Sequence, residues 1–416
     1  MNSIDKTPRN SLLIWYRTGL DRVAGEAVTR HWLTALPGSQ PVRVVAIGKA
    51  AGTMLTGAVA ALGERLTAGL MITRHGYGGG ECCADPRLEC REAGHPLPDA
   101  DSLAAGERLL VFIAEAPADQ EWVFLISGGA SSLVEVPVAG VTLDDLIALN
   151  TWLLGSGLDI GAMNRLRAGV SRIKGGRLAA CLRKRRVRCG LISDVPDDDP
   201  ASIGSGLLAP PREKGQDAIA LPQALRSRLP ETAAPGPAPE DFALVEPSVL
   251  ARLDDALQAV AAAARAQGLP VQLHPGRLDG DAEQTGRRLA RELQAGVPGV
   301  HVWGGETTVK LPARPGQGGR NQHLALAAAL ELTGRRDCLL LAAGTDGSDG
   351  TSAAAGALVD GGTFERGETE GLSAQAALAA ADAGTFLEAS GDLIVTGPTG
   401  TNVMDLVIGW KLEASG

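Results

Sequence analysis

VRVVAIGKAAGTML, residues Val42–Leu55, is the stretch that decides the fold. Val42–Ile47 is a compact apolar run of strand length, and it stops at Gly48 and Lys49. An alanine-rich segment of helical character then runs to about Leu62. The same order returns in EWVFLISGGASSL, residues Glu121–Leu133: a buried strand over Glu121–Ser127, a glycine turn, and small residues suited to opening a helix. Arg188–Ile192 leads likewise into SDVPDDDPASIGSG. Recurring strand, glycine turn and helix predict parallel strands joined by helical crossovers. Such sheets bind ligands outside the carboxyl ends of their strands.

Further elements extend this α/β pattern. A helix is expected over Leu12–Leu36, a short strand over Gly69–Thr73, and a helix around Ser102–Ala114. Prolines 210, 211, 222, 230, 235, 237 and 239 then change the composition, and TAAPGPAPE reads as an exposed connection. We therefore divide the chain into domains 1–235 and 236–416. Beyond the division, Ser248–Gln267 and Gly280–Gln294 read as helices. HVWGGETTVKL and DCLLLAAGTDGSDG place glycine and acids after apolar strands. The chain closes with a strand candidate at Leu393–Val395 and the turn-rich GPTGTNVMDLVI. No internal repeat is evident.

Composition excludes several classes. The 416 residues carry 54 glycines, about 13 % against a usual ~7 %, without the three-residue period of collagen. A formal charge of −9 argues against a nucleic-acid surface. Local backbone N–H groups and a few cations can nevertheless bind phosphate. MNSIDKTPRN lacks the apolar run of a signal peptide and no stretch reaches spanning length, so a cytoplasmic protein is expected. Its six cysteines, 82, 83, 90, 181, 189 and 338, should then be reduced. Cys82, Cys83 and Cys90 with His75 and His95 lack the paired spacing of a zinc site.

The chemistry sits at the expected strand ends. Gly48–Lys49 is not a phosphate-binding P-loop, and GYGGG and GSGLDIG are poor dinucleotide fingerprints. Ser127, Gly128, Gly129, Ala130, Ser131 and Ser132 fit an anion site better, because glycine frees backbone N–H groups and the hydroxyls can donate. Lys49, directly after its strand, suits a transferring phosphoryl group or a carboxylate. In NRLRAGVSRIKGGRLAA, the turn IKGGR is able to aim Lys174 and Arg177 inward. Asp194, Glu306, Asp346 and Asp349 close other strand ends and suit either Mg²⁺ or proton transfer. The run Asp197–Asp199 reads as solvent-facing.

At these same segments the chain resembles the glycerate 2-kinase family, whose C-terminal half is called the MOFRL domain. The resemblance is carried by VVAIGKAAGTM, EAGHPLPDA, LISGGASSLVEVP, NRLRAGVSRIKGGRLA, LISDVPDDDPASIGSG, WGGETTVKL, GQGGRNQHLALA, AAGTDGSDGTSAAAGAL and TGPTGTNVMDL, in family order over about residues 42–408. It implies ATP-dependent phosphorylation of D-glycerate at the 2-hydroxyl, with Mg²⁺. The implied fold has an N-terminal Rossmann-like parallel sheet and a smaller C-terminal α/β domain, with the active site in the cleft. The family's functional lysine matches Lys49 and its arginine matches Arg320, a residue that composition alone does not single out. The glycine-serine loop matches Ser127–Ser132. Arg177, Asp194, Glu306, Asn321, Asp346 and Asp349 match cleft-lining positions.

On this basis Lys49, Arg320 and Asp194 are the expected catalytic residues, with Asp194 as base. Ser127, Gly128, Gly129, Ser131, Ser132, Arg177 and Asn321 are expected to bind substrate or phosphate, with Arg320 or Arg177 on the glycerate carboxylate. Glu306, Asp346 and Asp349 are expected to hold Mg²⁺. The expected partners are D-glycerate and a second copy of the chain, with neither nucleic acid nor membrane. Departures are small: SGGASS where relatives have SGGGS, Met404–Asp405 for a usual ND, and His323 for a usual Glu. Ala130 should accordingly avoid positive φ. The rival activities are a hydroxypyruvate reductase and a non-catalytic phosphometabolite sensor.

Overall fold

The computed structural model describes residues 7–79, 81–212, 219–230 and 235–413. Of the expected connection TAAPGPAPE, residues 232–234 lie outside that description, as does the side chain of Cys82. The chain divides into two compact α/β units, each with one six-stranded sheet.

The larger unit comprises Gly25–Ala251 with Gly400–Asn402. Its strands are β1 (Val42–Ile47), β2 (Leu66–Arg74), β3 (Leu88–Ala93), β4 (Glu121–Ile126), β5 (Val187–Ile192) and β6 (Val245–Ala251). They lie in the order β3-β2-β1-β4-β5-β6, and every neighbouring pair is parallel. This is the doubly wound order, in which the winding reverses between β1 and β4. Strands covered on both faces must be apolar almost throughout, as β4 and β5 are. Trp122, Phe124, Phe112, Leu109 and Leu133 are central members of the core between this sheet and its helices.

The other unit takes the residues up to Ala24, Arg252–Thr399, and those from Val403 onward. Its strands are β7 (Val271–Leu273), β8 (Gly299–Gly305), β9 (Cys338–Gly344), β10 (Gly356–Asp360), β11 (Leu393–Ile394) and β12 (Asp405–Lys411). The order is β11-β10-β9-β12-β8-β7, with only β7 and β8 parallel. β12 pairs along its whole length with both β8 and β9. Helix Arg320–Leu332 is buried along almost its full length. The N-terminal helix Pro8–Arg22 belongs here too. Trp15 meets Trp410 at 5.0 Å between ring centroids, and the Tyr16 hydroxyl donates to the Gly344 carbonyl at 2.6 Å.

Several expectations need correction. Leu12–Leu36 is two helices, Pro8–Arg22 and Gly25–Ala35, because the chain passes from one unit to the other at Ala24–Gly25. Ser248–Gln267 is not one helix: β6 runs to Ala251 and the helix is Leu253–Arg265. Pro247 is tolerated in β6 because that strand is an edge. The units therefore part at Ala251/Arg252 rather than at 235/236, since β6 pairs with β5 and completes the first sheet. Cys83 and Cys90 are not reduced but disulfide-bonded, with Cα atoms 6.0 Å apart, because the chain doubles back between them into β3. Cys181, Cys189 and Cys338 are free thiols, and burial pushes Cys189 up to about 12.

Tyr16 ties the first helix to the end of β9, and Tyr16→Phe leaves the buried carbonyl of Gly344 without that donor. The expected loss is about 1–2 kcal/mol, read as a lower urea midpoint with unchanged slope.

Candidate active site

The winding reversal of the parallel sheet is stitched shut by its own loops. Ser127 N–H donates to the Ile47 carbonyl at 3.0 Å, and Lys49 N–H donates to the Gly128 carbonyl at 2.9 Å. The Ser127 hydroxyl oxygen accepts the Ala50 N–H at 3.0 Å. Gly48 has φ +129°, and a Cβ there would stand 2.2 Å from Ser127 Oγ. Glycine is therefore required for the two loops to touch.

Gly128 and Gly129 form the meeting point. A Cβ on Gly128 would lie 2.0 Å from Asp194 Oδ2 and 2.1 Å from Asn402 Nδ2. These two atoms are themselves hydrogen-bonded at 3.1 Å, the amide donating. A Cβ on Gly129, which has φ +86°, would lie 2.9 Å from His95 Cδ2 and 3.4 Å from Lys49 Cγ. Residues following β1, β3, β4 and β5, together with Asn402, thus crowd one pair of glycines. Lys49, Gly128, Gly129 and Asp194 are brought together as expected. His95 and Asn402 are additions that sequence reasoning did not assign; placing His95 required reading β3 as a strand.

The serines divide their tasks. Ser127 is committed to joining the loops, and Ser132 Oγ donates to the Gly129 carbonyl at 3.2 Å. Ser131 Oγ lies 2.7 Å from Ser205 Oγ, which reaches Asn164 Oδ1 at 2.9 Å. Ala130 avoids positive φ, as expected, and opens a helix of only four residues. Arg177 is not part of this group. Its guanidinium donates to the carbonyls of Pro235, Ala168 and Lys174 at 2.9, 2.7 and 3.1 Å, so it braces loops. Lys174 is buried against Glu135, whose other oxygen accepts from Ser171 Oγ. That ion pair serves the interior.

The mixed-sheet unit carries a second cluster, around Arg320. Arg320 Nε and Nη2 grip Asp405 at 2.6 and 3.0 Å, and Nη1 meets Glu306 at 2.7 Å. Burial pulls the guanidinium pKa down, but the Asp405 carboxylate more than offsets it. The planar fork is thus already matched to a carboxylate within the protein.

Asp349 is buried, and its two oxygens accept the N–H groups of Asn321 and Gln322 at 3.1 and 2.8 Å. It closes the N-terminus of the helix that begins with Arg320. Burial pushes its carboxyl up to about 7 against the pull of those two N–H groups. The backbone of Asn321 is held by this cap and its amide faces Asp349 at 3.4 Å.

Of the expected metal set, Glu306 meets Arg320, Asp346 Oδ1 accepts the Ser348 N–H at 3.1 Å, and Asp349 accepts two backbone N–H groups. A different oxygen set surrounds Gly344. Where its Cβ would stand, the Ser348 carbonyl, Asp405 Oδ1 and Asp346 Oδ1 lie at 3.0, 3.4 and 3.5 Å. All three are oxygens, the donor type Mg²⁺ prefers; Asp405 is at the same time the partner of Arg320. His75, Asp99 and Asp101, the one three-residue group of ligand-type side chains among the described residues, sit mostly exposed and mix nitrogen with oxygen.

Residues 12–234 match a family model described as Domain of unknown function (DUF4147), and residues 299–405 match the MOFRL family. A D-glycerate 2-kinase of Thermotoga maritima is 34 % identical over 385 residues, covering 88 % of this chain and 90 % of the relative. An Agrobacterium vitis protein, named only provisionally as a hydroxypyruvate reductase, is 38 % identical over 87 % of this chain and 85 % of its own length. A crystal structure of glycerate kinase from Thermotoga maritima superposes with a TM-score of 0.83 at 31 % identity, covering 97 % of this chain and 99 % of that one.

Because Asp349 has a raised pKa when folded, the native state holds its proton above the pH at which the unfolded chain releases it. Its contribution to stability is full below about pH 4 and is lost as pH rises through about 7. The unfolding free energy of the wild type relative to Asp349→Asn should therefore fall between these limits and level off above them, as measured by urea titrations at each pH.

Proposed function

The chain belongs to the glycerate kinase family, and from that premise we propose that it transfers the terminal phosphoryl group of ATP to the 2-hydroxyl of D-glycerate. The products are 2-phosphoglycerate and ADP. The observation that carries this reading is the crevice at the winding reversal, where Lys49 and Asp194 flank two glycines too crowded to bear side chains. Phosphoryl transfer asks a protein for positioning and charge neutralisation more than for covalent chemistry. Lys49, leaving the sheet immediately after β1, supplies a compact positive charge for the moving phosphoryl group.

Gly129, half-buried beside the buried Gly128, offers the close backbone approach that an anionic oxygen needs. Asp194, oriented by the Asn402 amide at 3.1 Å, takes the proton of the attacking hydroxyl. Arg320 is a fixed positive charge rather than a carboxylate clamp, since Asp405 fills its fork. Asp346, Asp405 and the Ser348 carbonyl are the oxygen donors that would hold Mg²⁺, which would supply charge neutralisation for the phosphates of ATP. Among the described residues no helix is long and apolar enough to cross a membrane.

The hydroxypyruvate reductase reading requires a nicotinamide dinucleotide site. The turn after β1 reads Gly48-Lys49-Ala50-Ala51 and lacks the glycine spacing such a site uses.

Lys49→Ala should lower kcat by ~10²-fold or more in an ADP-release assay with D-glycerate, and a turnover near that of the wild type contradicts the role. Arg320→Lys keeps the charge but loses the two-point grip on Asp405. Its kcat should fall at least about tenfold, because Lys is a point charge on a flexible stem, and unchanged kinetics contradict the assignment.

A further inference from the structure

His95 has no part in the chemistry described so far, yet its ring lies over the most exposed glycine of the crevice. It follows β3 by two residues, with Gly94 between. A Cβ on Gly129 would stand 2.9 Å from His95 Cδ2 and 3.1 Å from His95 Nε2, and 3.4 Å from Lys49 Cγ. The imidazole edge and the lysine stem therefore meet on one side of a single residue. That side carries the nitrogen, not the ring's carbon-only edge.

The segment carrying the ring is firmly held. Gly94 is buried, and a Cβ there would stand 2.6 Å from the Leu97 carbonyl and 2.8 Å from Asp99 Cγ. Asp99 in turn caps helix Ala100–Ala114 through the Ser102 N–H at 2.9 Å, and its other oxygen meets His75 Nε2 at 2.7 Å. A short loop with both ends pinned gives a side chain a defined place, which is what a ligand contact requires. His95 itself is half-exposed.

Resting on the reading above, we propose that His95 is a direct substrate contact, its Nε2 hydrogen-bonding an oxygen of D-glycerate beside Lys49. The ring forms one wall of the acceptor position, opposite the Asp194–Asn402 pair across Gly128–Gly129. A planar ring with a single nitrogen at that edge suits a small hydroxy acid, whose oxygens need separate, fixed partners. It also accounts for the absence of a side chain at 129, because any Cβ there would displace the ring from the acceptor.

Steady-state kinetics of His95→Ala and His95→Gln, with thermal midpoints measured alongside, test this. The expected result for His95→Ala is a KM for D-glycerate raised about tenfold or more, with the KM for ATP and the thermal midpoint unchanged. His95→Gln, which retains an N–H at similar reach, should recover part of the loss and serves if the alanine variant fails to fold. Unchanged kinetics in both variants, or a change confined to the KM for ATP, overturn the proposal while leaving the kinase reading intact. A wild-type protein that releases no ADP with D-glycerate defeats the kinase reading itself, and this proposal with it.

Discussion

The candidate site in the parallel-sheet unit depends on one pair of backbone hydrogen bonds, Ser127 N–H to Ile47 O and Lys49 N–H to Gly128 O. They join the turns after β1 and β4 where the winding of the sheet reverses. In a doubly wound sheet this is the place where successive crossovers leave on opposite sides, the usual position for a ligand. The cost is steric. Gly48 and Gly128 have no room for a methyl group, and Gly48 and Gly129 hold backbone angles that side chains resist. The high glycine content of the chain is spent in part on these contacts.

A similar economy governs the mixed-sheet unit. Arg320 opens its helix and is fixed twice: its guanidinium by Asp405 from the central strand β12, and its backbone neighbours by Asp349 from the turn after β9. A carboxylate closing a helix N-terminus and another matching an arginine fork are each modest interactions. Together they determine where one positive charge stands. Burial of Asp349 then makes part of this arrangement sensitive to pH near neutrality.

Much of the parallel-sheet unit was legible in the sequence. Val42–Ile47, Glu121–Ile126 and the β5 strand are apolar runs ended by glycine or serine, and their turns hold Lys49, Ser127 and Asp194. β3 was not legible, because LECREA alternates charge with apolar residues at the sheet edge, and His95 was lost with it. β12 was concealed by its neighbours: GPTGTNVM reads as turn, although DLVIGWK beside it is the central strand of the second sheet. Carboxylates were legible by position but not by task. Sequence places Glu306, Asp346 and Asp349 at strand ends, while only distances separate a helix cap, an arginine partner and a metal donor.

The central claim is that this scaffold phosphorylates a hydroxyl, and a specified one. Phosphorus NMR of the reaction of the wild-type protein with D-glycerate, ATP and Mg²⁺ tests it most directly. The account predicts resonances of ADP and of a phosphomonoester coupled to the single proton on carbon 2. A phosphorus coupled to the methylene protons of carbon 3, or an unchanged ATP spectrum, would contradict it.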